Sequence, residues 1–409
     1  MSNGDQLFNK TSLSNNDNLN YVDLLRGLAI IGVLLSHSTI GMAVAGLKNL
    51  PFNIDWLMHA GRHGVALFFV VSAYTLMRSM ANRTGNEYLP TIKYFLRRFF
   101  RIAPAYYLVL LIVFFVDGVG FSGYSNPQNP MLTWKDLFIH LFFINGFFPY
   151  YTNNFLAVEW SISTEVLFYA LLPIIFFLIR KIGPSRYAIW KVFGLYLLSI
   201  YFLWGMFYKG EYLKQWIGYY SADIFNSWIY FFILTHLHEF IIGIAVWVFL
   251  NNRNTTLKHT DKQIVKPEKK SMSWQLLAIF LMGISFVYVE YFYVDNFYIM
   301  ISGLVMWGIL SGALIYFLDT QRSIKLPIVS YFGKISFSLY LIHFPVFNSL
   351  THLKKMWAIT TIAEINFIIY AAIGILTSLC LATLLYYLIE RQGMRFGRFV
   401  ISFIQVKNR

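Results

Sequence analysis

Two kinds of residue are scarce in this chain of 409 residues: cysteine occurs once, and charged residues make up 13% of the sequence. The single cysteine, Cys380, excludes an internal disulfide and a cysteine metal cluster, and its apolar surroundings predict a small buried side chain. Soluble domains carry about 25% charged residues, so the shortage of charge argues against a soluble protein. The hydrophobic share of 57% and the long apolar runs predict an all-α polytopic membrane helix bundle.

The charges that are present give a net charge of +14. In a soluble protein such an excess suggests nucleic-acid binding, but here the basic residues lie mainly in loops between apolar runs. We therefore expect no nucleic-acid partner and interpret the charge as setting the orientation in the lipid bilayer. Residues 1–20 are polar and have no apolar core of their own, so we expect no cleavable signal peptide and a disordered cytoplasmic tail.

About ten transmembrane helices are predicted, because a span needs about 20 mostly apolar residues. They lie near residues 22–45, 64–80, 97–116, 157–179, 188–208, 228–250, 274–294, 297–318, 332–350 and 365–389. The shorter run Trp134–Phe148 contains polar residues and indicates one interfacial or re-entrant segment. The predicted division is a tail at 1–20, a membrane domain at 21–390 with a polar cytoplasmic loop at 251–273, and a basic cytoplasmic tail at 391–409.

Lysine and arginine concentrate in alternate loops, as expected when cytoplasmic loops are enriched in positive charge. The predicted inside loop 251–273 carries six of them, whereas the predicted outside stretch 117–133 has none. This alternation predicts a multi-pass protein of the cell membrane with its N- and C-termini cytoplasmic. Counting Trp134–Phe148 as a full span would turn the later basic loops outward, which disfavours that alternative.

The first apolar run, Tyr21–Ser38, contains one arginine and one histidine. Because a helix turns about 100° per residue, Arg26 and His37 lie on the same helical face, about 16 Å apart along the axis. Ionisable groups inside a membrane span are costly and are candidates for function.

Three further ionisable residues fall at the level of His37 in the predicted topology: Glu165, His236 and His343. All four lie about 10–12 Å below the outer surface, so we predict that they share an internal site, with Glu239 one turn deeper than His236.

Four other histidines receive simpler interpretations. His140 and His238 are expected to be helix-packing partners, and His59 and His63 to be surface residues of the first outer loop. The sequence has no His-x-x-x-His or Cys-x-x-Cys spacing that supports a zinc site.

The segment KYFLRRFFRIAPAYY, residues 93–107, allows two interpretations. Its basic residues fit positive-inside anchoring of a span. Alternatively, Arg98 and Arg101 lie three positions apart on one helical face and form a cytoplasmic anion site that holds phosphate.

Several motifs together resemble the membrane-bound acyltransferase 3 family. The opening pattern is an arginine, ten residues and a histidine, which fits Arg26 and His37. The other matching segments are FFVVSAY from Phe68, RFFRIAP from Arg98, WSISTEVLFY from Trp160, EFIIG from Glu239 and SFSLYLIHFP from Ser336. They follow in the family's order and cover residues 21–390.

The resemblance implies an acyl-CoA-dependent O-acyltransferase of the bacterial inner membrane. Its donor is acetyl-CoA or another acyl-CoA used as a substrate, with no permanently bound cofactor, and its acceptor is a glycan or a lipid-linked sugar. His37 becomes the catalytic base or a covalent acyl carrier, with Glu165 orienting or stabilising it. Arg26, Arg98 and Arg101 become candidates for binding the donor. The remaining candidates in the motifs are Ser72, Trp160, His236, Glu239, Tyr340 and His343.

The chain departs from the family pattern in three places. Ala73 replaces a glycine, Val166 stands where a second glutamate is common, and the last motif, beginning at Glu390, lacks its proline. The sequence ends about twenty residues after its last predicted span, so we expect no C-terminal esterase-like domain.

A transporter or flippase for a lipid-linked sugar or another solute is the alternative function, since carriers also use buried charges. A non-catalytic assembly protein is the third.

Overall fold

The computed structural model describes residues 20–44, 60–84, 87–116, 132–181, 187–209, 228–259, 280–281, 283–284, 297–321, 326–351 and 363–406. Within these ranges the regular elements are all helical. They are α1 (Asn20–Val44), α2 (Gly64–Arg83), α3 (Pro90–Val116), α4 (Trp134–Leu141), α5 (Trp160–Lys181), α6 (Ala188–Tyr208), α7 (Ile233–His259), α8 (Phe297–Gln321), α9 (Pro327–Lys334), α10 (Ser336–Thr351), α11 (Ala363–Leu385) and α12 (Arg391–Val406). Short 3₁₀ turns precede α2 and follow α4, and a π-turn, Tyr386–Glu390, joins α11 to α12.

Eight helical stretches of the described ranges are long and apolar enough to cross a membrane, which confirms the all-α membrane bundle. The predicted bounds agree closely for α1, α2, α5, α6 and α8. The short segment is also confirmed, because α4 has only 8 residues and is followed by two 3₁₀ turns.

Four predicted boundaries differ from the structure. Helix α3 begins at Pro90 rather than near residue 97, since proline suits the first helical turn and the basic residues that lower the hydropathy still favour a helix. Helix α7 continues to His259, into the predicted polar loop, and α12 occupies most of the predicted basic tail. The predicted span 332–350 is divided between α9 and α10.

Other predictions lie outside the described residues: the tail at 1–19, most of the span 274–294, His59 and the outside stretch 117–131. Cys380 is described, and the prediction that it is buried is wrong, because its side chain is exposed on α11.

Helix α1 lies at the centre of the bundle and packs against α2, α9, α10 and α11. Its contact with α9 is backbone against backbone. A Cβ atom added to Gly333 would lie 1.7 Å from the carbonyl oxygen of Asp23, and one added to Gly27 would lie 1.9 Å from that of Val329. Glycine at both positions is therefore what allows this close approach, which sets the path of α10 beside α1.

Helix α7 packs against α2 in the same manner, since a Cβ atom on Gly243 would lie 2.3 Å from the carbonyl oxygen of Val70. About two turns before this contact, the ring of His236 lies edge-on to that of Phe69, at 5.5 Å between ring centroids. The packing of α1, α2, α7 and α10 thus brings their ionisable residues to the interior of one bundle.

Candidate active site

Three arginines from two helices line one partly open cavity, whose empty volume, opening included, is about 670 Å³. Arg26 comes from the second turn of α1, and Arg98 and Arg101 lie one turn apart on α3. We call this space the arginine cavity. Its lining also includes Ser72, Glu165, Tyr169, Ser336 and Tyr340.

Among its lining residues the arginine cavity has three guanidinium groups and one carboxylate, that of Glu165. Outside the lining, Asp23 Oδ1 lies 4.0 Å from Arg26 Nη1, and Glu390 interacts electrostatically with Arg26 and Arg101. The buried Nε of Arg98 has no hydrogen-bond partner among the described residues. An unsatisfied N–H donor that lies among three guanidinium groups favours binding of an anion.

Glu165 belongs to the arginine cavity. Ser72 Oγ donates a hydrogen bond of 2.5 Å to Glu165 Oε1, and the hydroxyl of Tyr169, one turn later on α5, also hydrogen-bonds the carboxylate. The expectation that Glu165 orients His37 is therefore wrong, because its carboxylate bonds Ser72 and Tyr169. Residues at equal depth on two helices meet only if both helices turn them toward each other, and α5 turns Glu165 toward Ser72.

The partner of His37 is a second histidine. Nδ1 of His37 and Nε2 of His343 are 2.9 Å apart, and Nδ1 of His343 lies 2.8 Å from the backbone oxygen of Tyr340. A carbonyl oxygen only accepts, so His343 carries its proton on Nδ1 and accepts through Nε2. His37 must then donate from Nδ1. Its own Nε2 is left with the lone pair that a general base requires.

His37 lines a second cavity, which has an empty volume of about 920 Å³ and which we call the histidine cavity. Its other polar and aromatic lining residues include His63, Asn153, Trp160, Tyr230, His236 and Glu239. The prediction that His63 is a surface residue is wrong, because the 3₁₀ turn Gly61–His63 folds inward, and the ring of His63 stacks on Trp307 at 4.7 Å.

His236 and Glu239 form a buried pair in the wall of the histidine cavity, with exposed fractions of 3% and 1%. Nδ1 of His236 lies 3.1 Å from Glu239 Oε2, and Nε2 lies 2.8 Å from the backbone oxygen of Tyr230. Both ring nitrogens thus face oxygens, so a proton must lie between the ring and the carboxylate as well as on Nε2.

Tyr340 and Val65 line both cavities and form the partition between them. The hydroxyl of Tyr340 accepts a hydrogen bond of 2.8 Å from Ser161 Oγ and donates one of 3.2 Å to the backbone oxygen of Val158. These contacts hold the ring of Tyr340 one helical turn before His343. A group that leaves the arginine cavity for His37 must pass this partition.

The predicted single site is therefore two adjoining cavities. Arg26, Arg98 and Arg101 line the first together with Ser72 and Glu165; His37, Trp160, His236 and Glu239 line the second; and Tyr340 lines both. His343 lies behind His37 as its partner. His140 and His238 are buried, and each hydrogen-bonds a backbone oxygen within its own helix.

The sequence reasoning missed Glu159, which is fully buried immediately before α5. Its carboxylate accepts hydrogen bonds from the backbone nitrogens of Phe155, Leu156 and Val158, at 2.7, 2.9 and 3.0 Å. These bonds order the segment that carries Asn153 to the histidine cavity. An acidic residue directly before a helix is a recognisable signal, because carboxylates accept from free backbone donors at such positions.

Comparison with known proteins gives a family and two informative relatives. A family described as acyltransferase domain matches residues 19–387. Peptidoglycan O-acetyltransferase OatA of Listeria monocytogenes is 23% identical over 345 residues, which are 81% of this chain and 49% of that protein. O-acetyltransferase OatA of Staphylococcus aureus is 24% identical over 346 residues, 80% of this chain and 50% of that protein. The chain thus spans about half the length of these curated relatives. No solved structure matches it.

Proposed function

The chain belongs to the acyltransferase 3 family, and we propose that it is a membrane O-acetyltransferase that moves an acetyl group from acetyl-CoA to a glycan hydroxyl. One observation carries this proposal: a cavity lined by three arginines adjoins a cavity lined by a histidine whose Nδ1 is paired with a second histidine. The first suits a polyanionic donor and the second suits proton transfer. The match to O-acetyltransferases supports acetyl as the group that moves.

The donor lies with its phosphates at the arginine cavity, where guanidinium groups form charge-assisted hydrogen bonds with phosphate oxygens. The pantetheine arm is extended and uncharged, and it carries the thioester past Tyr340 toward His37. Arg26 and His37 lie on one face of α1 about 16 Å apart, a span that an arm of this kind covers.

The transfer itself uses His37 as a general base. Nε2 takes the proton of the acceptor hydroxyl while the hydroxyl oxygen attacks the thioester carbonyl carbon. The tetrahedral intermediate then breaks its carbon–sulfur bond, and the proton on His37 passes to the departing CoA sulfur. The products are an O-acetyl ester and CoA, with His37 returned to its starting form.

The positive-inside pattern supports a cytoplasmic donor. With both termini inside, Arg98 and Arg101 lie toward the cytoplasm and His37 toward the outer side of the cell membrane. The acyl group then crosses the bilayer through the partition at Tyr340 and is received by a glycan outside.

The direct test is transfer of label by the purified protein in liposomes. We expect radiolabel from the acetyl group of acetyl-CoA to appear in a soluble glycan such as a chitin oligosaccharide, as an ester cleaved by mild alkali. Liposomes without protein provide the control. Movement of a sugar across the membrane without consumption of thioester would contradict the proposal and favour a carrier.

A second prediction concerns His343 as a positioning residue. His343→Leu removes the acceptor of the Nδ1 proton of His37, so His37 can adopt the tautomer whose Nε2 carries the proton. We expect kcat to fall about 10²- to 10⁴-fold with little change in the KM for acetyl-CoA, as when a catalytic histidine loses its orienting partner. The measurement is the steady-state transfer rate across pH 5–9. The variant should lose the part of the pH–rate profile that reports deprotonation of His37.

The conservative variant His343→Gln separates positioning from structure. Glutamine keeps a side-chain acceptor that can face His37, so it should recover at least about one-tenth of the wild-type kcat. Equal loss by the glutamine and leucine variants, with unchanged pH profiles and normal folding, would contradict the positioning role.

A further inference from the structure

We propose that the histidine cavity is a carbohydrate-binding site in which aromatic side chains hold one face of a sugar ring and the His236–Glu239 pair binds a hydroxyl other than the one acetylated. This inference rests on the proposed function and adds how the acceptor is recognised. The mechanism of transfer uses only His37 from this cavity, which leaves its remaining polar and aromatic lining unexplained.

The aromatic part of the cavity is held rigidly. Trp160 stacks on Phe231 with 4.7 Å between ring centroids, and the ring of His236 lies 5.1 Å from Trp160. Tyr230 meets His236 edge-on at 5.7 Å, and all four residues line the cavity. These packed rings give the cavity a fixed aromatic wall, which suits the apolar C–H groups of a pyranose ring because their partial positive charge complements π electrons.

The polar part of the cavity offers hydrogen bonds for hydroxyl groups. His236 engages Oε2 of Glu239, so within the described part of the chain the second carboxylate oxygen is available to a ligand hydroxyl. A buried ionisable pair is costly to maintain inside a membrane protein, and neither member contacts His37 or His343. Binding of a polar ligand gives this pair a role that packing alone does not.

Asn153 adds a second polar group to the same wall. Its side-chain nitrogen donates to the backbone oxygen of Ala157 at 2.8 Å, whereas its buried Oδ1 has no partner among the described residues. An orphaned acceptor in a cavity-lining residue is satisfied when a donor enters the cavity. A sugar carries several hydroxyl donors, whereas a lipid alcohol carries one on an apolar chain, so the distribution of polar groups favours the sugar.

The test measures acceptor and donor steps separately with Trp160→Leu and Glu239→Gln. For Glu239→Gln we expect the KM for a chitin oligosaccharide to rise about 10- to 100-fold, the range for a polar group left without its buried partner. Trp160→Leu removes the aromatic wall and should raise the same KM. The KM for acetyl-CoA, and the slow hydrolysis of acetyl-CoA without glycan, should stay within about twofold. Trp160→Phe keeps an aromatic face and should retain most of the affinity for the glycan.

Matched controls are available on the surface. Trp190→Leu changes a tryptophan that is 67% exposed on α6, and Glu87→Gln changes a carboxylate that pairs with Arg83 and Arg97 outside both cavities. Neither should alter the KM for glycan. Glu239→Gln is nearly isosteric, so it keeps the test valid if Trp160→Leu does not fold.

The outcomes are distinct. An unchanged KM for glycan in Glu239→Gln overturns the inference, as does saturable acetylation of a long-chain alcohol by a wild-type protein that does not use the oligosaccharide. If the wild-type protein consumes no acetyl-CoA with any acceptor, the proposed function itself fails.

Discussion

His37→Ala is expected to lower acetyl transfer at least about 1,000-fold, since a positioned general base contributes about 10²–10⁴ to a rate and the variant also loses the group that orders the acceptor proton. The loss should fall on kcat. The arginine cavity is lined by other residues, so the KM for acetyl-CoA should stay within about threefold. The measurement is steady-state transfer by purified variants matched for expression and membrane insertion.

Imidazole added to the medium provides a control for this prediction. The histidine cavity is large enough to admit a free imidazole, which should restore part of the activity of His37→Ala and none of that of His343→Leu, where the His37 ring is still present. Transfer at the wild-type rate by His37→Ala would remove His37 from the mechanism. Loss of acetyl-CoA binding together with kcat would instead indicate a collapsed bundle.

The sequence predicted α1 and its chemistry well. The bounds of the helix and the common face of Arg26 and His37 follow from apolar length and a fixed turn per residue, both of which are local properties. The convergence of Arg98 and Arg101 on a cavity also follows from their spacing on one helix. The structure adds Arg26 to the same cavity, which favours the anion site over simple anchoring for these residues.

The partners of the ionisable residues could not be predicted in this way. The predicted topology placed four ionisable residues at one depth in the bilayer. Depth alone does not determine the direction in which each helix presents its side chain. The His37–His343 contact joins residues 306 positions apart, and it depends on the close approach of α1 and α9 at Gly27 and Gly333. Glu165 likewise contacts Ser72 and not His37, because its depth did not specify the direction of its side chain.

Arg101→Ala should raise the KM for acetyl-CoA about 10- to 100-fold with a smaller change in kcat, because a guanidinium–phosphate contact contributes as a charge-assisted hydrogen bond and is made before the acetyl group moves. Arg97→Ala is the matched control on the same helix. Arg97 pairs with Glu87 at 2.9 Å and is not in the lining of the arginine cavity, so its loss should leave both constants within about twofold.

A truncated donor makes this prediction specific to phosphate. Acetyl-pantetheine carries the same thioester and arm without the nucleotide phosphates, so its KM should be high in the wild-type protein and nearly unchanged by Arg101→Ala. The ratio of the KM for acetyl-pantetheine to the KM for acetyl-CoA should therefore fall toward one in Arg101→Ala. It should fall further in Arg98→Ala/Arg101→Ala, although the effects of two neighbouring substitutions are not expected to be additive. If Arg101→Ala weakens both donors equally, the guanidinium acts on the fold or the membrane orientation, and the phosphates must bind elsewhere.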